Sequence, residues 1–175
     1  YWKKYFNNMF PTIEYRRKVK DDIEIMWHET RGVNYWSYID ENGNRYGKLD
    51  NGQAFGIVSM QWKTAYWIAK VNGWDLNNRA DEIRLMKNTH EQIKYAVWYR
   101  NWLCKYMEQK GLNKNIKLSV TDIRYAAIDG FNLPSIDPTK NRIRDYFLKV
   151  LGGIAYQEYL ISKMVDETYD WEEAE

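Results

Sequence analysis

A single cysteine, Cys104, rules out any intramolecular disulfide framework, and its place on an apolar helical stripe reads as a small core residue. The only histidines, His28 and His90, offer no zinc-ligand spacing, and no serine-histidine-acid or cysteine-histidine order is supported. His28 therefore reads as a packing or surface residue. No apolar run approaches the length of a membrane span, and nothing reads as a signal peptide. The charge is balanced, 26 basic against 24 acidic side chains for a net +2, which argues against nucleic acid as the main partner. The one basic cluster, Arg16, Arg17, Lys18 and Lys20, reads as a solvated helix face. With no repeat and no low-complexity linker, 175 residues suit one domain with one core.

What the chain has in excess is aromatic rings, 9 Trp and 15 Tyr, many of them in polar stretches. Flat amphipathic rings beside polar groups suit carbohydrate faces, although most rings in a helical protein fill its core. From Pro11, a favoured first helical residue, the positions Tyr15, Val19, Ile23, Met26 and Trp27 follow helical spacing up to a stop at Gly32. The period then changes. Aromatic runs Tyr35-Trp36-Ser37-Tyr38-Ile39 and Arg45-Tyr46 flank Asn42-Gly43, which predicts a small β-hairpin. Asp40, Asn42 and Asn44 have the spacing of a calcium loop, but Arg45 and Asn51 fall where its glycine and last glutamate belong, so no metal is expected.

Five further helices follow by the same criteria. Ser59 can cap one with the stripe Trp62, Ala65, Tyr66 and Ala69 and a stop at Gly73. A short one covers residues 79–87. Thr89 and Gln92 form a capping box that opens a long helix ending at Gly111. Ser119 or Thr121 caps the next, which runs through Ala127. Asp137 before Pro138 signals a last helix carrying Ile143, Tyr146, Phe147, Val150 and Leu151, ahead of a solvated acidic tail. The sum is an α+β domain, mostly α, with one hairpin.

The chemistry centres on Trp27-His28-Glu29-Thr30-Arg31-Gly32 and the later glycine-rich stretch. A carboxylic acid that must keep its proton near neutral pH needs a raised pKa. Burial among rings and the negative end of a helix both push that way. Glu29, next to Trp27 in a final helical turn, meets both conditions on sequence grounds; the plain alternative is an exposed helix-end glutamate.

Glu29-Thr30, then Ala54-Phe55-Gly56-Ile57-Val58-Ser59-Met60-Gln61-Trp62-Lys63-Thr64-Ala65, then Gln92-Ile93 and Ala126-Ala127-Ile128-Asp129-Gly130 together resemble the goose-type lysozyme and soluble lytic transglycosylase family over about residues 20–135. Spacing is kept within the second block. Ser59 stands where the family has glutamine, Thr30 where it has serine, and Ile128-Asp129 where it has Tyr-Asn; Phe131-Asn132 is an alternative alignment of that pair.

The resemblance implies a lysozyme-like fold with a hairpin beside a cleft, no cofactor, and cleavage of the β-1,4 bond between N-acetylmuramic acid and N-acetylglucosamine in bacterial peptidoglycan. Glu29 would protonate the leaving oxygen. The muramic 6-hydroxyl then attacks in a transglycosylase, and water in a lysozyme. Asp50 occupies the interval at which goose-type lysozymes carry an aspartate and is the candidate base; Asp50-Asn51-Gly52 is equally a good turn. Asp40 and Glu41 are weaker candidates at the hairpin tip. An inverting pair needs its carboxyls roughly 6.5–9.5 Å apart. Thr30, Ser59, Gln61, Tyr99, Asp129 and Asn132 are the substrate-binding candidates, with Ser59 read either as cleft floor or as a helix cap. A phage setting is expected, in the virion or after release into the host wall, with other tail or virion proteins as further partners. The competing expectation is a lysozyme-like module that binds the wall, or builds the particle, without cutting.

Overall fold

The computed structural model describes residues 8–34, 38–39, 42, 45–46 and 54–139. Helices dominate, with two small antiparallel sheets, so the expected mostly helical α+β class holds. The helices are α1 (Ile13–Lys18), α2 (Lys20–Thr30), α3 (Trp62–Asn72), α4 (Arg79–Lys87), α5 (Thr89–Asn113) and α6 (Val120–Asn132). The strands are β1 (Tyr38–Ile39) paired with β2 (Arg45–Tyr46), and β3 (Ala54–Phe55) paired with β4 (Met60–Gln61). The predicted last helix, the acidic tail, Asp40, Glu41 and Asp50 lie outside the described residues. No described helix is long and apolar enough to cross a membrane.

Contacts divide the chain into two compact units, Tyr1–Glu24 with Tyr99–Glu175, and Ile25–Trp98. In the first, α1 starts with Thr12, whose side chain accepts from the Tyr15 N–H at 3.1 Å. Pro11 therefore precedes the cap and is not itself helical. The single expected helix also divides, because Val19 leaves helical geometry (φ −107°, ψ 22°) before α2 begins. Hydrogen bonds nevertheless run through the break, Val19 N–H to Tyr15 O and Ile23 N–H to Val19 O.

Charged pairs cross the first unit beside its apolar core. Arg16 is buried and its Nε donates to the Phe10 carbonyl at 2.6 Å, so the basic cluster is not wholly a solvated face. Arg100 on α5 grips Asp22 with two bonds, of 3.0 and 3.1 Å, and Arg124 on α6 donates to Asp21 at 2.8 Å. Asp22 is fully buried, and burial pushes its pKa up to about 6 against the pull of Arg100. Leu103, Met107, Ala126 and Ala127 fill the adjoining core. Each large apolar side chain so buried contributes about 1.5–3 kcal/mol.

The α6 start matches expectation, with Ser119 accepting from the Asp122 N–H at 3.1 Å. Its end does not: the helix continues past Ala127 to Asn132. Gly130 permits this, since a Cβ there would lie 2.6 Å from the Met107 methyl and 3.3 Å from Leu103. Close approach, not a chain break, is what that glycine serves.

In the second unit β1 and β2 form the predicted hairpin, Tyr38 opposite Tyr46 and Ile39 opposite Arg45. The β3–β4 hairpin has no counterpart in the sequence-based expectation. Its tip, residues 56–59, turns on Gly56 at φ 81° and Ser59 at φ 50°, with the Ser59 N–H bonded to Gly56 O. Ile57 and Val58 at that tip are buried, which hides the polar signature of an ordinary turn. Helix α3 then starts at Trp62 behind Gln61, which makes no side-chain cap bond, so Ser59 is not its cap. Gly73 closes α3 in the left-handed conformation as expected. Asn78 caps α4 and Asn88 caps α5, replacing the expected Thr89–Gln92 box.

Candidate functional site

The last turn of α2 presents Trp27, His28, Glu29 and Thr30, after which Arg31 (φ 54°) and Gly32 (φ 76°) reverse the chain. Glu29 is half-buried there. The Arg31 guanidinium lies 5.3 Å from the Trp27 ring centre, a cation–π contact over the helix end. Burial first, then the Arg31 charge, lowers the pKa of His28, which keeps that ring neutral near pH 7.

Thr30 is buried and its hydroxyl is committed inside the protein. It accepts from the Gly32 N–H at 3.1 Å and donates to the Ile57 carbonyl, with the Met26 carbonyl 3.2 Å away. One hydroxyl has one proton and two lone pairs. Thr30 therefore ties the end of the Glu29 helix to the tip of the β3–β4 hairpin and does not reach out to a ligand.

That same residue is held from its other side. The Gln92 Oε1 accepts from the Ile57 N–H at 2.9 Å, while its Nε2 donates to Leu85 O at 2.9 Å and Met86 O at 3.0 Å, at the C-terminal end of α4. Asn34, just beyond the α2 turn, donates to Met86 O at 2.8 Å and stands 3.4 Å from Gln92 Nε2. Sequence reasoning reads Gln92 as half of a capping box and misses this. The available signal is its place on the stripe Gln92, Ala96, Tyr99, Leu103, Met107, because a primary amide on an apolar face needs internal partners.

Ser59 and Gln61 lie on the same hairpin as Ile57, Ser59 half-buried and Gln61 exposed. Among the described residues neither side chain is hydrogen-bonded, so both are available to a ligand. Behind them Phe55 and Trp62 stack with ring centres 3.9 Å apart, and the Tyr66 hydroxyl donates to buried Glu82. The second unit thus brings Glu29, Thr30, Ser59 and Gln61 onto elements joined at one residue. Asp50 lies outside the described residues.

Tyr99, Asp129 and Asn132 belong to the first unit. Tyr99 is buried with Phe131 edge-on at 5.0 Å, and burial pushes its pKa up to about 12. Asp129 and Asn132 share the last turn of α6. Asp129 is 8% exposed, its Oδ2 has no hydrogen-bond partner among the described residues, and burial raises its pKa to about 6. Cys104 is a half-buried free thiol whose pKa burial raises, so it is not an activated nucleophile. Among the described residues no group of three or more His, Cys, Asp or Glu is arranged to hold a metal ion.

Fold and site together define a mostly helical α+β protein with a glutamate at a helix end fastened to a small hairpin. No family model, no curated protein and no solved structure matches this chain.

Proposed function

We propose that this protein cleaves peptidoglycan glycan strands at the β-1,4 bond between N-acetylmuramic acid and N-acetylglucosamine, with Glu29 as general acid. The observation that carries the reading is the Thr30–Ile57 tie, which fastens the glutamate's helix end to the hairpin bearing Ser59 and Gln61. A proton donor and hydrogen-bonding groups held on rigid elements are what protonation of a glycosidic oxygen requires. The lysozyme-like fold, the phage setting and virion partners belong to the same proposal. Two routes complete the reaction. In one the muramic 6-hydroxyl attacks and leaves an anhydro end; in the other water attacks, with Asp50 as its base.

Digestion of purified peptidoglycan by the wild type and by Glu29→Gln, with soluble products weighed by mass spectrometry, tests this. The wild type should release muropeptides with anhydro ends or with reducing ends. Glu29→Gln should release them about 10²–10⁴-fold more slowly, the usual worth of a positioned acid. A folded wild type that binds the wall and releases nothing would overturn the proposal in favour of a non-cutting wall-binding or structural module.

A further inference from the structure

Ile57 is gripped at both of its backbone polar atoms, its carbonyl by Thr30 at the end of the Glu29 helix and its N–H by Gln92 on α5. Both gripping side chains are buried, and Gln92 is anchored in turn by the Leu85 and Met86 carbonyls. Gly56, immediately before Ile57, has no room for a side chain, since a Cβ would lie 2.5 Å from Gln92 Oε1. The Gln92 amide thus lies directly against the hairpin backbone.

From this we propose that Gln92 is a positioning residue for cleavage. Resting on the reading of Glu29 as the acid, it fixes the hairpin that carries Ser59 and Gln61 against the glutamate's helix end. Gln92 touches no substrate. It acts by removing one degree of freedom, the slide of the hairpin tip along α2, that Thr30 alone would leave open. A reacting group displaced by about 1 Å loses about 10²-fold in rate, so the effect belongs in kcat and not in KM.

The distinguishing feature of Gln92→Leu is that it orphans one backbone group only, the other loss being the 3.4 Å bond to Oδ1 of half-buried Asn34. Leu85 O keeps the Asn88 N–H and Met86 O keeps Asn34, whereas the Ile57 N–H loses its acceptor. The test measures kcat and KM on soluble uncrosslinked glycan strands for the wild type, Gln92→Leu, Thr30→Val and Asn78→Ala. Asn78→Ala removes the α4 cap and serves as a control for lost stability alone.

Gln92→Leu and Thr30→Val should each lose about 10–100-fold in kcat with KM within about 2-fold. Asn78→Ala should keep the wild-type kcat. Amide exchange in the wild type, which does not depend on any variant folding, should show the Ile57 N–H among the slowest-exchanging groups of its unit. An active wild type with unchanged kcat in Gln92→Leu, a kcat loss in Asn78→Ala matching it, or a fast-exchanging Ile57 amide each overturns the role of Gln92 while leaving Glu29 in place. An inactive wild type overturns both.

Discussion

Replacing Asp129 by asparagine should flatten part of the pH dependence of stability. Asp129 is 8% exposed, and its Oδ2 finds no partner among the described residues around the last turn of α6. Burial raises its pKa from 3.8 to about 6, and the negative end of the helix works in the same direction. A carboxyl whose pKa is higher in the folded chain binds its proton more tightly there. Between the two pKa values the native state holds more protons than the unfolded one, so stability falls as pH rises from about 4 to about 6 and stays lower above that. At about 1.4 kcal/mol per pKa unit, the shift corresponds to about 2–3 kcal/mol lost by about pH 7.5. The substituted asparagine is uncharged at every pH, so the wild type and Asp129→Asn should differ little near pH 4 and diverge by about 2 kcal/mol, in the variant's favour, near pH 7.5. Urea unfolding followed by tryptophan fluorescence at a series of pH values reads this directly. Asp22, also raised to about 6, titrates in the same window in both proteins and cancels in the comparison. Parallel stability curves for the two proteins would refute the reasoning, because they would mean that the buried carboxylate carries no desolvation cost.

Three further outcomes follow, two from glycine conformation and packing and one from the buried ion pair. Gly56→Ala must place a side chain at φ 81° and within 2.5 Å of Gln92 Oε1, so it should cost about 2–4 kcal/mol in denaturant unfolding and unseat the Gln92–Ile57 bond. Gly73→Ala, which also has positive φ but open space around it, should cost only about 1–2 kcal/mol. Arg100→Met leaves Asp22 buried without its bidentate partner and should lose about 3–5 kcal/mol near neutral pH, whereas Arg100→Met combined with Asp22→Leu should recover much of that loss.

The sequence was informative where a local rule acts alone. Residues 79–87 form a helix with those bounds, Gly73 and Ser119 sit at the predicted stop and cap, and Asn42-Gly43 marks the β1–β2 hairpin. It misled where tertiary packing overrides the local signal. Ile57 and Val58 look like the interior of an element, yet they form a buried turn whose polar groups are met by distant side chains. Gly130 looks like a stop, yet it is the contact point of α6 with Met107 and Leu103. For the candidate site, Glu29-Thr30 and the stretch 54–65 were singled out by motif, but neither the hairpin within that stretch nor the use of the Thr30 hydroxyl was. A threonine that binds a sugar and one that binds a carbonyl are the same letter. Gln92 was obscured because its partners, Ile57 and Leu85, lie in separate elements.

Both grips on residue 57 end on backbone atoms, so they are indifferent to the side chain that position carries. Any residue whose bulk suits the core, other than proline with its missing N–H, could stand there and the grip would persist. The constraint is exported instead to Thr30, Gly56 and Gln92, three positions far apart in sequence and unlike in type. A search for this arrangement in other chains should therefore look for a hydroxyl after a helix-end glutamate, a glycine before an apolar pair and an amide on an apolar stripe, and should ignore the residue at the centre.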